Sequence, residues 1–428
     1  MNKPSLSKIS TASRHLQSSR LGSAIQALRD SIDLSDSEVY TPGPAQEILA
    51  EAVLAGATDV HVSTFGDYGV IRFRIAGSII LAATLDADQT HRLERQLRVL
   101  VGLDPVATRH AEHGSGTLAV EPDGNVPFRL TVIPKSDGTA LCVRLLDPKR
   151  ILRPLSDLGM SKEDLDAVSL WFHEKGGLML ITGPAGSGKT TTFYSCLEHL
   201  PTAEQRVVTL EDPVEANLEQ IDQIEVSHCG TQKMAQAIPE LLRLDLDIIG
   251  IGEIRESESA RAAVAATLSG HAVVSTAHTA NAHGGVDWLR YCGVHDYEIA
   301  ETLRLVLTQR LVRTLCKKCC RPVIPSNEDK RLFESSSLEV PDQVFERVGC
   351  DACHGRGYSG RTGVFKVWVP TSEELRVIRS GKDASAFQPS ADRKDTLLST
   401  ALGFAADGST SIAEVRRHCF DLDTATDQ

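Results

Sequence analysis

The feature that most constrains this chain is a phosphate-binding loop. Gly183-Pro184-Ala185-Gly186-Ser187-Gly188-Lys189-Thr190 fits the pattern G-x-x-x-x-G-K-[ST] at every position. It follows an apolar run predicted to be a strand, and a helix is predicted from Thr191 onward, which is the context that the pattern requires. Glycines let backbone N–H groups converge on an anion, and the helix N-terminus adds its partial positive charge. The sequence therefore predicts a site for Mg·ATP or Mg·GTP.

Each part of this loop has an expected role. Lys189 reaches the β- and γ-phosphates, and the Thr190 hydroxyl takes a place on Mg²⁺. The alternative is a chance glycine-rich turn without a ligand, and the flanking strand and helix count against it. The predicted nucleotide-binding residues are Gly183, Pro184, Ala185, Gly186, Ser187, Gly188, Lys189, Thr190 and Thr191.

Around this loop, short apolar runs alternate with helical stretches from residue 164 onward. Such runs suit parallel strands whose two faces are both covered. We therefore expect an α/β domain with a central, largely parallel sheet. The runs are residues 178–181, 207–210, 247–251 and 272–275.

The preceding hundred residues are predicted to form a separate, small α/β domain. Helical patterns at 45–56 and 89–101 stand among four stretches that alternate with period two or are rich in strand-forming residues. About a hundred residues with two helices and four strands are enough for a compact domain with its own core. The predicted strands are residues 59–63, 69–75, 126–132 and 140–145.

Residues 1–43 differ from the rest because they are rich in serine and charge. Large apolar residues recur there at about helical spacing, so one amphipathic helix is expected. It is either a loosely held surface helix or an arm that docks on a partner or a neighbouring subunit. The apolar residues are Leu16, Leu21, Ile25, Leu28 and Ile32.

Charge and hydropathy argue against several classes of protein. The chain has 45 basic and 57 acidic residues and a formal charge of −12, which is a poor fit to a general nucleic-acid-binding protein. There is no apolar run of about 18 residues to cross a membrane, and the N-terminus lacks the apolar core of a secretory signal. We therefore expect a cytoplasmic protein without direct nucleic-acid contacts.

Acidic residues follow two of the predicted parallel strands, where ligands bind in open α/β sheets. Glu253 follows the third apolar run, and we assign it to the attacking water. Glu211 and Glu215 follow the second run and are expected to assist the metal or the water, with an exposed acidic loop as the alternative. Asp247 lies at the opposite strand end, where a functional role and a solvent-facing carboxylate are equally compatible with the sequence.

Four cysteines form two C-x-x-C pairs about thirty residues apart, Cys316 with Cys319 and Cys350 with Cys353. This spacing is typical of a four-thiolate zinc site. Because no open coordination position is evident, the zinc is expected to be structural. Cys320 and His354 are additional candidates, and free buried or redox-active thiols are the alternative.

Together these motifs resemble one family, the secretion ATPases that power type II secretion and type IV pilus assembly. Residues 209–215 are similar to its Asp box, 242–255 to its Walker B segment and 270–279 to its His box, in this order after the phosphate-binding loop. The resemblance runs from about residue 45 to residue 380. It implies an α/β fold in which an N-terminal small α/β domain is followed by a RecA-like P-loop ATPase domain with a C-terminal zinc-binding subdomain.

The resemblance also implies boundaries and further residues. The expected parts are an arm at 1–43, the small domain at 44–148, the ATPase domain at 149–315, a tetracysteine element at 316–366 and a helical region at 367–428. His278 of the His box joins the expected catalytic residues. Residues 355–363 are similar to the family's turn after the second cysteine pair, with a flexible basic loop at a subunit interface as the alternative.

In this family, arginines of the small domain reach the nucleotide phosphates when that domain closes over the ATPase domain. The matching candidates are Arg72 and Arg74, followed by Arg129 and Arg144, and for each the alternative is an arginine on a solvated face. The sequence departs from the family's usual pattern at several positions, among them Leu246 and Ala280. None of these removes a core residue of the phosphate-binding loop, the Walker B segment or the His box.

The resemblance implies a homohexameric motor that uses ATP, Mg²⁺ and Zn²⁺. It would push on an inner-membrane platform protein of a pilus or secretion machine and associate with the membrane peripherally through that partner. Two alternatives stay open, a motor for DNA translocation, conjugation or DNA uptake, and a nucleotide-binding scaffold without hydrolysis. Type II secretion, type IV pilus assembly and conjugative pilus assembly are not distinguished by the sequence.

Overall fold

In the computed structural model the chain divides into two compact units between Lys149 and Arg150. Of the predicted N-terminal arm, only residues 23, 25–27 and 43 are described; residues 23 and 25–27 are helical, and Ile25 packs against the apolar core of the first unit. The rest of the expected helix and its docking role lie outside the described residues, as does His354. The described residues are 23, 25–27, 43–106, 109–122, 124–173, 176–226, 233–279, 281–353, 355–382 and 396–419.

The first unit is a six-stranded antiparallel sheet with two helices packed on one face. The strand order is β3-β2-β1-β6-β5-β4, and apolar side chains from alternate strand positions share one core with both helices. The sequence predicts both helices and four of the strands but misses β3 and β4. The elements are α1 (Gly43–Leu54), β1 (Ala57–Phe65), β2 (Tyr68–Ile75), β3 (Ser78–Asp86), α2 (Ala87–Leu100), β4 (Glu112–Val120), β5 (Gly124–Lys135) and β6 (Gly138–Leu145). The short α3 (Pro148–Ile151) contains the boundary between the two units.

Helix α2 shows how local sequence sets an element boundary. The Asp86 carboxylate accepts a 2.8 Å hydrogen bond from the N–H of Gln89, and the Gln89 side chain accepts a 2.9 Å bond from the N–H of Asp86. This reciprocal capping stabilises a helix start by about 1 kcal/mol. Four residues apart on one face, Leu93 and Leu97 are then buried against the sheet.

The second unit is built on a seven-stranded sheet with the order β15-β12-β7-β11-β10-β8-β9. All described neighbours are parallel except β12 and β15, which confirms the predicted largely parallel sheet. The elements are α4 (Lys162–His173), β7 (Gly177–Thr182), α5 (Lys189–Glu198), β8 (Val207–Glu211), β9 (Asp222–Glu225), α6 (Met234–Leu241), β10 (Ile248–Ile251), α7 (Ser257–Leu268), β11 (Ala272–Ala277), α8 (Ala282–Tyr291), α9 (Asp296–Thr302), β12 (Leu303–Leu315), β13 (Arg321–Val323), α10 (Asn327–Ser335), β14 (Val344–Glu346), β15 (Tyr358–Trp368), α11 (Ser372–Arg379), α12 (Leu397–Ala406) and α13 (Ile412–Cys419).

The four central strands β7, β8, β10 and β11 are buried along almost their whole length. Because helices cover both faces, each strand is apolar on both sides, which is why its sequence is a continuous apolar run. The carboxyl ends of these parallel strands meet at one edge of the sheet. That edge carries the phosphate-binding loop and the predicted catalytic residues Glu211, Glu253 and His278, whereas Arg72 and Arg74 lie in the first unit.

The tetracysteine element is inserted between two paired strands of this sheet, since β12 ends directly before Cys316 and β15 begins at Tyr358. The expected turn or flexible loop at 355–363 is therefore wrong from Tyr358 onward, because these residues pair with β12. A glycine is required at Gly363, where a Cβ would lie 2.2 Å from the Phe365 ring. The expected boundary at residue 366 falls within β15.

The helices α12 and α13 pack on the tetracysteine element and form a third apolar core with β12, β15 and α10. A buried ion pair joins Arg313 of β12 to Glu414 of α13, and the Arg313 guanidinium lies 4.2 Å from the Tyr358 ring centroid. In the part of the chain that the structure describes, no helix is long and apolar enough to cross a membrane.

Candidate active site and tetracysteine centre

The phosphate-binding loop joins the end of β7 to the start of α5, as the motif predicts. Gly188 is the N-cap of α5, and as a glycine it has no side chain to cap the N–H groups of the first turn. Those N–H groups are the ones that bind anions at helix starts. Gly183 is required by close packing, because a Cβ there would lie 2.5 Å from the Ser187 hydroxyl and 2.6 Å from the Gln309 carbonyl oxygen.

Lys189 is folded back onto its own loop. Its ammonium donates hydrogen bonds of 2.9 Å to the Gly183 carbonyl and 3.1 Å to the Pro184 carbonyl, and it lies 3.1 Å from Nδ1 of His278. Burial lowers the pKa of Lys189 to about 8, although the nearby Glu253 carboxylate opposes this shift. The lysine is thus a buried cation held by neutral acceptors, which phosphate oxygens can replace.

Glu253 and His278 meet at the edge where β10 and β11 end. Nε2 of His278 lies 2.6 Å from Oε1 of Glu253, and the Arg255 guanidinium lies 2.7 Å from Oε2. If the Lys189 ammonium donates to Nδ1 of His278, then Nε2 carries the imidazole proton. Despite the short distance, Oε1 of Glu253 has no aligned hydrogen-bond donor among the described residues. The four side chains form a continuous polar row from the phosphate-binding loop to Arg255.

The backbone that carries Glu253 is held by the adjacent strand. The Ser275 hydroxyl donates to the Ile251 carbonyl and the Thr276 hydroxyl to the Gly252 carbonyl, both at 2.8 Å. The glutamate also lines a cleft of about 340 Å³ with His278 and Trp288 among its walls. Glu253 is therefore a carboxylate on a fixed backbone, and it lines a cleft together with His278, which contacts Lys189 of the phosphate-binding loop.

Glu211 lies in a different environment. Its carboxylate is only 3% exposed and accepts hydrogen bonds from the hydroxyls of Tyr194 and Thr209 and from the side-chain amide of Gln223. The Tyr194 hydroxyl in turn accepts the N–H of Glu215 at 2.8 Å. This network favours a positioning role for Glu211, holding the loop after β8, over the expected contact with metal or water.

Two further predicted residues, Glu215 and Asp247, lie outside the row of Lys189, His278 and Glu253. The side chain of Glu215 is half-buried in the loop after β8. Asp247 is exposed at the opposite end of the sheet, where its carboxylate accepts the N–H of Arg206 at 2.8 Å. The structure therefore favours the solvent-facing carboxylate over a functional role for Asp247.

Four cysteine sulfurs form a compact cluster in which all ligand atoms lie within 4.8 Å of one another. The Sγ–Sγ distances are 3.9 Å for Cys316 and Cys350, and 3.8 Å for Cys319 and Cys353 and for Cys350 and Cys353. A zinc tetrahedron with Zn–S bonds of about 2.3 Å has edges of about 3.8 Å, whereas a disulfide brings sulfurs to about 2.05 Å. The cluster fits zinc and not disulfides.

The backbone around the cluster supports thiolates. The N–H of Gly349 donates to Sγ of Cys319 at 3.3 Å, and the N–H of Gly357 donates to Sγ of Cys353 at 3.1 Å. Burial acts to raise the pKa of both Cys319 and Cys353. Hydrogen bonds from the backbone and the neighbouring thiols lower the pKa of Cys353, whereas the neighbouring thiols raise that of Cys319. Cys320 is not part of the cluster.

In the first unit, the candidate arginines share the face opposite the apolar core. In antiparallel pairs, residues directly opposite lie on the same face, and the register places Arg74, Asp59, Arg144 and Arg129 side by side across four strands. Asp59 pairs with Arg144 at 3.1 Å and with Arg74 at 3.6 Å. Arg72 lies two residues before Arg74 in β2 and therefore on the same face.

Sequence reasoning gave no separate role to Arg255, Tyr194 or Gln309. Arg255 lies two residues after Glu253, so its positive charge beside a predicted catalytic carboxylate could have indicated an ion pair between them. Gln309 lies in residues 309–313, a segment that is similar to the family's pattern before the first cysteine pair. Neither Gln309 nor Tyr194 has a local signal for its partner, since each acts on a residue far away in the sequence.

Comparison with known proteins agrees with this geometry. A family model described as "Type II/IV secretion system protein" matches residues 36–417. The type II secretion system ATPase E of Vibrio cholerae is 33% identical over 398 residues, covering 92% of this chain and 79% of that protein. The type IV pilus assembly ATPase PilB of Acinetobacter baylyi is 34% identical over 376 residues, covering 87% of this chain and 65% of that protein.

Among solved structures, the ATPase DotB of Legionella pneumophila has a similar fold. The TM-score is 0.66 at 18% identity, over 90% of this chain and 97% of that one. At this level of identity the likeness is one of fold alone.

Proposed function

The chain belongs to the family of type II/IV secretion system proteins, and on that premise we propose that it is the hexameric motor of a secretion or pilus machine. It is an ATPase whose hydrolysis drives secretion or pilus assembly, as in its relatives. The main support for the proposed active site is that Lys189 of a complete phosphate-binding loop contacts His278, which in turn contacts Glu253.

ATP binding begins with an exchange of partners at Lys189. Phosphate oxygens replace the carbonyls of Gly183 and Pro184, because hydrogen bonds to a charged acceptor are stronger than those to a neutral one. The N–H groups at the start of α5 bind the same phosphates. Thr190 is the residue that would hold Mg²⁺, which neutralises charge on the β- and γ-phosphates.

Glu253 orients the water that attacks the γ-phosphorus. When Lys189 turns to the phosphates, His278 loses one of its partners, and the pair of His278 and Glu253 is free to rearrange around the water. The carboxylate accepts a hydrogen bond from this water and places its oxygen in line with the bond to the leaving β-phosphate oxygen. Glu211 and Glu215 support this step through the loop after β8.

The first unit supplies the arginines of the motor. Arg72 and Arg74 lie on its polar face with Arg129 and Arg144, and a guanidinium placed on the γ-phosphate only in a closed state would couple domain motion to hydrolysis. Six copies working in a ring would turn this motion into a push on a platform protein of the inner membrane. Membrane association would then be peripheral.

The tetracysteine centre has a structural role in this proposal. Cys316, Cys319, Cys350 and Cys353 would hold one Zn²⁺ in a closed tetrahedron with no position for substrate. The ion would fix the element that is inserted between β12 and β15.

The test compares ATP hydrolysis by the wild type with that of Glu253→Gln, and Asp247→Asn serves as the matched control at the other end of β10. We expect Glu253→Gln to lower kcat by at least a hundredfold while ADP binding is kept, and Asp247→Asn to stay within a factor of three, on the scale of a lost catalytic carboxylate. A wild type as slow as Glu253→Gln would reject the motor. Light scattering with a non-hydrolysable nucleotide that shows only monomers would reject the hexamer.

A further inference from the structure

Strand β12 contacts the phosphate-binding loop through a residue to which the motif gives no role. Gln309 is 1% exposed, and its Nε2 donates a 2.7 Å hydrogen bond to the backbone carbonyl of Ser187. Its own carbonyl oxygen packs against Gly183 so closely that a Cβ there would lie 2.6 Å away. One residue of β12 therefore contacts both ends of the loop.

The hydrogen bond to Ser187 sets the direction of one peptide group. In a trans peptide, the carbonyl of one residue and the N–H of the next point in opposite directions. With the Ser187 carbonyl held by Gln309, the N–H of Gly188 is turned away from β12. Gly188 is the N-cap of α5, where N–H groups bind phosphate.

A purely structural role accounts poorly for an amide at this position. Oε1 of Gln309 and the hydroxyl of Ser187 are both buried without a hydrogen-bond partner among the residues that the structure describes. Such groups destabilise a fold, and an apolar side chain of similar size would avoid the cost. The amide is better explained by what it does to the loop.

We propose that Gln309 is a positioning residue for the phosphate-binding loop. By holding the Ser187 carbonyl, it keeps the N–H of Gly188 directed at the phosphates of the nucleotide. It acts through the loop backbone and does not itself contact the nucleotide. The inference rests on the proposed function, because it requires that this loop binds ATP and ADP.

The experiment compares Gln309→Leu with Thr308→Val in the full-length protein. Thr308 is the neighbouring residue of β12, equally buried, and its hydroxyl lies 3.0 Å from that of Thr182. Each variant thus removes one buried hydrogen bond from the same strand, but only Gln309→Leu removes one from the loop. Binding is measured by titration with a fluorescent analogue of ADP in the presence of Mg²⁺, and hydrolysis by phosphate release.

We expect Gln309→Leu to raise the Kd for the ADP analogue and the KM for ATP about tenfold, the effect of one lost hydrogen bond. The kcat should change less than twofold. Thr308→Val should bind within twofold of the wild type, although both variants unfold at a lower temperature. If Gln309→Leu does not fold, Gln309→Met, which keeps an unbranched side chain, takes its place.

Equal losses of affinity in the two variants would overturn the inference, because they would indicate a general effect of weakening β12. Unchanged affinity in Gln309→Leu would overturn it as well, while leaving the proposed function intact if the wild type binds and hydrolyses ATP. A wild type that binds no ADP would reject the proposed function and this inference with it.

Discussion

The lowered pKa of Lys189 predicts that nucleotide affinity falls as the pH rises above about 8. Burial lowers this pKa to about 8 in the free protein, and the negative phosphates of a bound nucleotide raise it again. Binding therefore takes up a proton above pH 8 and almost none below pH 7. The protonated fraction of a group with this pKa falls from roughly nine-tenths at pH 7 to one-tenth at pH 9, so the Kd should rise about tenfold over this range.

The assay is a titration with a fluorescent ADP analogue and Mg²⁺ between pH 6.5 and pH 9.5. Calorimetry at pH 8 in buffers of different ionisation enthalpy should give an uptake of about half a proton per nucleotide. Lys189→Arg is the control, because an arginine does not titrate in this range, and its Kd should lack the rise. A wild-type Kd that is flat from pH 7 to pH 9.5 would refute the reasoning.

Three further predictions concern the surroundings of the site. Metal analysis of the wild type should find about one zinc ion per chain, and Cys353→Ser should lose that ion and unfold at a lower temperature. Cys320→Ser should keep both the ion and the unfolding temperature, and the reverse pattern would refute the assignment of the ligands. Tyr194→Phe removes the hydroxyl that joins Glu211 to the N–H of Glu215. It should destabilise the second unit by about 1–3 kcal/mol in urea while ADP affinity stays within twofold, and an undisturbed stability would count against the network. Glu414→Gln breaks the buried pair with Arg313 and should cost about 3 kcal/mol at pH 7. Because Arg313 lowers the pKa of Glu414 against the effect of burial, this stabilisation is present above the unfolded pKa and is lost as the pH falls through the folded one. The difference from the wild type should therefore shrink in acid, and a constant difference would contradict the ion pair.

The parts of the fold that follow from sequence are those in which neighbouring residues determine the outcome. The phosphate-binding loop is a contiguous pattern whose glycines and lysine suffice to define its shape and charge. Strands β7, β8, β10 and β11 are apolar on both faces because both faces are covered. The pairs Cys316–Cys319 and Cys350–Cys353 have a spacing typical of zinc ligands, and their four sulfurs lie at the corners of one tetrahedron.

What the sequence misses depends on contacts between distant residues. Residues 358–363 look like a turn because of their glycines, yet they form the start of β15, since β12 lies beside them. Glu211 resembles a catalytic carboxylate in the sequence, but in the structure it accepts a hydrogen bond from Tyr194, which belongs to another element. Gln309 is 122 positions away from Ser187, and no local pattern connects them.

The structure of the protein with Mg²⁺ and a non-hydrolysable ATP analogue tests the central claim most directly. We expect the Lys189 ammonium to leave the carbonyls of Gly183 and Pro184 for the β- and γ-phosphates. We also expect the Glu253 carboxylate to face the γ-phosphate at the distance of one intervening water. A bound nucleotide with Lys189 still on those carbonyls, or with Glu253 turned away from the γ-phosphate, would contradict it.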